Sequence, residues 1–268
     1  MLASLRFVMK NPVYPPISAS CLFHFTNSLE NLLGILRDDF RPRFCVETLD
    51  SVFSSRIVAR RAEWAIPMVC FCDLPLSQIG FHLSIYGDYG IGMSKSWART
   101  NGISPILYVY EDSPLSVMLQ EIGDLGTNYH LNEDIEGVLG YKLMRLLSFV
   151  KPYEGTLWRP TGDITNLRFY DEREWRFVPD SPANGQIGIL ATDCRDETKR
   201  GIENARIGET VRISFNPSDV KYLIIRREEE IVPLIKDLEQ IKGDKYSLDD
   251  VRLLASRVVS SEQIRADF

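Results

Sequence analysis

Histidine is scarce in this 268-residue chain, with three in all, His24, His82 and His130. A zinc site would have to draw its ligands from distant stretches, and neither a H-E-x-x-H nor a C-x-x-C pair is present. Five cysteines, an odd count in a chain this long, do not make a disulfide framework. Cys70 and Cys72 sit as C-x-C inside an apolar run, where buried reduced thiols are the expected state. No apolar run approaches the roughly 20 residues that span a bilayer. The opening ten residues are too short and wrongly flanked for a secretory leader, so a cytoplasmic protein with no membrane partner is expected. There is no Gly-x-Ser-x-Gly elbow and no Walker A loop, and Gly87-Asp-Tyr-Gly90-Ile-Gly92 lacks the order of a dinucleotide fingerprint. These absences set aside the common hydrolases, NTPases and metalloproteases. No internal repeat occurs.

What remains is ordinary globular composition, 44% apolar and 25% charged. The net charge of −6 is unevenly spread, since residues 1–70 carry +2 and the remainder −8. Arg41, Arg43, Arg56, Arg60 and Arg61 form the one basic concentration, broken by Glu47 and Asp50. It reads either as a solvated face or as an electropositive rim beside a phosphate-bearing ligand.

Pattern along the chain predicts a mixed α+β domain. Asn11-Pro-Val-Tyr-Pro-Pro16 makes residues 1–20 an extended lead-in. Cys21–Thr26 reads as a strand, followed by a capping-box-like Asn27-Ser-Leu-Glu30 and a helix with Leu29, Leu32, Leu33 and Leu36 on one face. Helical spacing is weaker over Ser51–Trp64. Pro67–Asp73 is expected as a strand buried on both faces, and Leu76–Tyr86 as a short helix. Tyr89–Lys95 reads as a strand whose glycines admit a close neighbour, and Pro105–Tyr110 as another strand. Residues 132–150 carry the clearest helical pattern, and Lys151–Asn166 a loop. Leu167–Val178 is expected as one strand, Val211–Phe215 and Val220–Ile225 as a pair, and Ile231–Ile241 as a helix. The domain then covers 21–242, with a short helical tail, 243–268, capped by Ser247.

The acidic strand is the most unusual feature. Alternation sends Glu172 and Glu174 to one face with Tyr170 and Arg176, the two carboxylates about 7 Å apart. One could orient a ribose hydroxyl while the other engages a nucleophile; a solvated edge strand with cross-strand ion pairs gives the same pattern. His24, between Phe23 and Phe25, reads equally as a hydrogen-bonded core residue or as a ligand-binding one.

The chain resembles the abortive-infection AbiGi family of phage-defence proteins. The stretches that carry the resemblance are Leu22-Phe-His-Phe-Thr26 with its leucine helix, Pro67-Met-Val-Cys-Phe-Cys-Asp-Leu-Pro-Leu76 and Tyr86-Gly-Asp-Tyr-Gly-Ile-Gly-Met-Ser-Lys95. Tyr170-Asp-Glu-Arg-Glu-Trp-Arg-Phe177 and Gln263-Ile-Arg-Ala-Asp-Phe268 complete them. A more distant resemblance is to ADP-ribosyltransferase-like folds, including the DarT nucleic-acid modifiers. It implies a split β-sandwich with flanking helices, gripping NAD in its cleft as a substrate and needing no metal. By that resemblance Glu174 stabilises an oxocarbenium-like ribose with Glu172 as auxiliary acid, and His24 holds the nicotinamide ribose. Phe25 offers backbone groups to the carboxamide, Thr26 is a further NAD-binding residue, and Tyr86 or Tyr89 stacks on the nicotinamide ring. The leading expectation from the two resemblances is an NAD-dependent ADP-ribosyltransferase acting in phage defence, transferring ADP-ribose to a nucleic acid (RNA or DNA) or protein acceptor. The AbiGi resemblance implies instead a non-catalytic antitoxin or regulator of a two-gene toxin–antitoxin system, with a cognate toxin or antitoxin as its partner.

Overall fold

The computed structural model describes residues 18–49, 63–128, 133–180, 188–242 and 247–268. The elements run β1 (Cys21–Thr26), α1 (Leu29–Asp38), β2 (Arg43–Thr48), β3 (Glu63–Cys72), α2 (Gly80–Tyr86), β4 (Tyr89–Ser94), α3 (Lys95–Thr100), β5 (Ser104–Pro105) and β6 (Leu107–Val109). Then come α4 (Pro114–Asn128), α5 (Glu133–Leu147), β7 (Val150–Pro152), β8 (Gly155–Leu157), β9 (Ile164–Leu167), β10 (Glu174–Phe177) and β11 (Ile189–Leu190). The chain closes with α6 (Ala191–Arg195), α7 (Glu197–Thr210), β12 (Val220–Ile225), α8 (Ile231–Lys242), α9 (Leu248–Ala255), β13 (Val258–Ser260) and α10 (Ser261–Asp267).

Among the described residues, nine strands form one sheet in the order β13-β12-β4-β1-β3-β10-β5, with β2 and β11 both pairing the first half of β3. Ten-residue β3 is the hinge of this arrangement. Its first half lies against β2 and β11, while Val69–Cys72 pairs antiparallel with β10. The continuously apolar run Met68–Cys72 does what such a run should, burying both its faces. Val69 and Phe71 join Leu22, Ile91, Met93 and Leu223 under α1, α3, α8 and α9. Cys72 joins Cys21, Phe23 and Ile224 on the other face, under Ile79, Leu83 of α2 and Ile264 of α10.

The leucine helix forms as its spacing predicts, with Leu32 and Leu36 fully buried. Its cap is Ser28 rather than Asn27: the Ser28 hydroxyl accepts from the Asn31 amide at 3.2 Å. The glycines of β4 are occupied as expected. Cβ atoms built at Gly90 and Gly92 would lie 2.8 Å and 2.9 Å from the rings of Phe25 and Phe23 on β1.

Several expected elements differ. Leu167–Val178 is not one strand: Phe169–Glu172 is a 3-10 turn closed by Arg173 in the left-handed region (φ 46°), and β10 begins only at Glu174. Val211–Phe215 forms no strand. Ile213 exchanges two backbone hydrogen bonds with Phe40, and the apolar pattern of Ile213 and Phe215 is satisfied by burial in the core. Lys151–Asn166 holds short strands β7, β8 and β9, and the long helix stops at Leu147, before 150. Glu63 and Trp64 are strand rather than helix, and 51–62 lies outside the described residues, as does 1–17 of the lead-in. The C-terminal segment is helical, with a Ser247–Asp250 capping box. It also contributes β13, which pairs parallel with β12, and it buries Val251 and Leu254 in the main core. No helix among the described residues is long and apolar enough to cross a membrane.

Candidate functional site

On the face of the sheet that carries Cys70 and Cys72, between two apolar clusters, lies a buried network of charge. Register brings Glu174 opposite Cys72 and Arg176 opposite Cys70, and the β2–β3 pairing adds Glu47 on the same side. Glu172 enters from the 3-10 turn and Lys151 from β7. Glu172 and Glu174 are each 5% exposed and Arg176 not at all.

The side chains of Glu47, Lys151, Glu172, Glu174 and Arg176 are all partnered. Lys151 Nζ donates to Glu172 Oε2 at 2.6 Å and to Glu174 Oε2 at 2.9 Å. Arg176 donates from Nε to Glu174 Oε1, from Nη1 to the Ser148 carbonyl and from Nη2 to Glu47 Oε1, each at 2.8 Å. The Tyr86 hydroxyl donates to Glu172 Oε1 at 2.5 Å, and the Glu174 amide donates to the Tyr108 hydroxyl at 2.8 Å. Lys151 also stands over the Phe169 ring, 4.4 Å from its centre, and Arg159 over Tyr86 at 4.7 Å.

The electrostatics follow from burial opposed by pairing. Burial would drive the Glu174 carboxyl upward, but Arg176 and Lys151 outweigh it and hold the group well below the usual carboxylate range. Burial likewise opposes charge on Lys151, and Glu172 and Glu174 overcome it, so its ammonium is held well above the ordinary range. Three carboxylates face two cations here, and the imbalance falls on Glu47, whose carboxyl burial raises despite Arg176. Burial also raises the Tyr86 phenol. Near neutral pH, then, Lys151 keeps its proton and Glu174 keeps its charge. Both oxygens of Glu174 already accept from cations, so neither is free to meet a developing positive charge.

The residues singled out from sequence divide between the two faces. Tyr86 meets Glu172 directly and Lys151 joins Glu172 to Glu174, while Phe25 reaches them through His82, whose ring lies 6.2 Å from Phe25 and 5.4 Å from Tyr86, stacked on the latter. His24, Thr26 and Tyr89 belong to the opposite face. His24 packs its ring against Phe40 and Phe71, and its Nδ1 lies 2.8 Å from the Cys70 carbonyl, so the neutral imidazole donates there. Burial lowers its pKa. Tyr89 opposes Thr26 across the β1–β4 ladder and donates to Glu230 at 2.9 Å, far along the sheet from the glutamates. Tyr170, expected beside Glu172, instead lies exposed on the surface. Arg56, Arg60 and Arg61 of the basic stretch fall outside the described residues.

Sequence reasoning missed Lys151, Glu47, Tyr108 and His82. Lys151 had one cue, a lone charge closing the run Leu146-Leu-Ser-Phe-Val150 and followed by proline. Nothing local marks Glu47, whose role depends on β2 lying alongside β3.

Comparison with known proteins adds the family. The family described as abortive phage resistance protein AbiGi, antitoxin, matches residues 38–226, well over half the chain. The chain belongs to the AbiGi family. A curated relative, the abortive phage resistance protein AbiGi of Lactococcus lactis subsp. cremoris, is 26% identical over 254 residues, covering 85% of this chain and 99% of the relative. No solved structure matches. The AbiGi span contains Glu47, Tyr86, Tyr108, Lys151, Glu172, Glu174 and Arg176, while His24, Phe25 and Thr26 precede it.

Proposed function

We propose that this chain is the antitoxin of a two-gene abortive-infection system: a cytoplasmic protein that binds and restrains a cognate toxin without chemistry of its own. The family description supports this reading, and one structural observation carries it. Glu174, the residue best placed by sequence to act on a ribose, is buried with both oxygens taken by Lys151 and Arg176. Such an arrangement resembles a tie between β7, β10 and β2. It opposes transition-state stabilisation, which needs a charge whose compensation arrives only in the transition state.

The rival reading is an NAD-dependent ADP-ribosyltransferase-like fold acting on a nucleic acid or protein. In its favour, Tyr86, Glu172 and Glu174 do converge; against it, His24 lies across the sheet from them. The experiment that separates the two is co-expression with each neighbouring gene. An antitoxin leaves growth unimpaired when expressed alone, rescues growth from one neighbour, and copurifies with that neighbour's product. Toxicity of this chain alone, abolished by Glu174→Gln, would overturn the proposal in favour of the enzyme.

A further inference from the structure

Beside the buried network, four tyrosine rings form a ladder at the surface. Tyr110 and Tyr153 meet edge to face at 5.6 Å, Tyr153 and Tyr170 stack at 5.2 Å with 24° between planes, and Tyr170 meets Tyr108 edge to face at 5.4 Å. The backbone holds the ladder in place: the Tyr153 amide donates to the Val109 carbonyl at 2.8 Å, and the Tyr170 amide to the Tyr153 carbonyl at 3.1 Å. Tyr108 is anchored through the Glu174 amide. Rings of this kind normally bury their area in a core. Here Tyr110 is 57% and Tyr170 47% exposed.

Three of the four rungs are followed in the chain by acid. Glu111 and Asp112 follow Tyr110, Glu154 follows Tyr153 and Asp171 follows Tyr170, and all four are exposed. Arg168 meets Asp171 in a solvent-exposed contact at 3.7 Å. Along the chain, exposed rings are therefore flanked by exposed carboxylates. Exposed rings flanked by acid favour a planar cation, which stacks on a ring and pairs with a carboxylate, over phosphate or another anion.

We infer that this tyrosine ladder is the docking surface for an arginine-bearing basic segment of the partner protein. The inference rests on the antitoxin reading for the partner's identity, and on the ladder alone for its chemistry. Arginine is favoured over lysine because its guanidinium can stack on a ring while it donates in a fork to a neighbouring carboxylate. Rigid, pre-stacked rings lose little freedom on binding, which suits them to anchor an interface.

The test titrates the full-length protein with a short fluorescein-labelled arginine–serine peptide, with the matching lysine–serine peptide and an oligothymidine as comparisons. The arginine peptide is expected to bind saturably and more tightly than either. Tyr110→Ala combined with Tyr170→Ala should weaken it about tenfold or more, while the two Tyr→Phe changes stay within about twofold, since the ring is retained. Glu111→Gln, Asp112→Asn, Glu154→Gln and Asp171→Asn together should also weaken it, and should flatten its salt dependence. Circular dichroism checks that each variant is folded. Unchanged binding in the double alanine variant, or preference for the oligothymidine, overturns the inference. A second arm repeats growth rescue with the double alanine variant, which is expected to fail. Full rescue would remove the ladder as the toxin site while leaving the antitoxin reading intact. If the wild type rescues growth from no neighbour, the antitoxin reading fails, and the peptide titration still decides the chemistry of the surface.

Discussion

Replacing Lys151 with methionine keeps the length and bulk of the side chain and deletes one positive charge. Glu174 would retain Arg176, but Glu172 would be left buried with only the Tyr86 hydroxyl for a partner. Breaking a buried pair by removing one member typically costs about 3–5 kcal/mol, because the stranded charge has no water to return to. Against a total stability on the order of 5–15 kcal/mol, that is a large fraction. For a chain of this size each kcal/mol moves the melting temperature by about 2–4 °C, so Lys151→Met should melt about 10 °C lower. Urea unfolding, followed by circular dichroism and by the fluorescence of the four tryptophans, measures the same loss independently. A second variant, Lys151→Met with Glu172→Gln, removes the stranded charge as well and should recover part of the stability, so the two changes are non-additive. A Lys151→Met protein that melts within about 2 °C of the wild type would refute the view that this network holds β7, β10 and the 3-10 turn together.

Gly92→Ala should destabilise by about 1–3 kcal/mol, because the added methyl would sit 2.9 Å from the Phe23 ring and 3.1 Å from Tyr222 Cβ; a urea midpoint equal to that of the wild type would contradict this. Burial pushes the Cys21 thiol up to about 11 and raises Cys72 further, so iodoacetamide should label neither until the protein is unfolded, and rapid native labelling read by mass spectrometry would contradict the buried strand. Burial lowers the pKa of both His24 and His82 from 6.5, so their contribution to stability is present above that pH and lost as pH falls through the depressed values. Glu47, with its raised carboxyl, acts in the opposite sense in both wild type and variant. The urea midpoint of His24→Phe with His82→Phe should therefore fall less than that of the wild type between about pH 7 and pH 5, and parallel curves would contradict the neutral, buried imidazoles.

Local pattern carried much of the fold. The leucines of α1, the apolar run of β3 and the glycines of β4 each announce their element, because burial on one face, on both faces, or against a ring leaves a mark at short range. The acidic motif was legible as unusual, but not its surroundings. Alternation along a strand would have put Tyr170 with Glu172. The left-handed Arg173 instead breaks the run, a backbone state that a non-glycine sequence does not announce. That Glu172 still joins Glu174 is the work of Lys151, 21 residues earlier in the chain. The sequence neighbours of His24 do not set its side; the sheet register sends it to the face opposite the glutamates. Register and ion pairing across strands are long-range facts, invisible to a reading of periods and motifs.

The most direct measurement is nicotinamide release from NAD by the purified protein, with Glu174→Gln and a protein-free blank alongside. A Glu174 whose two oxygens already accept from Lys151 and Arg176 predicts release no faster than the blank for both proteins. Turnover by the wild type that vanishes in a folded Glu174→Gln variant would contradict the account.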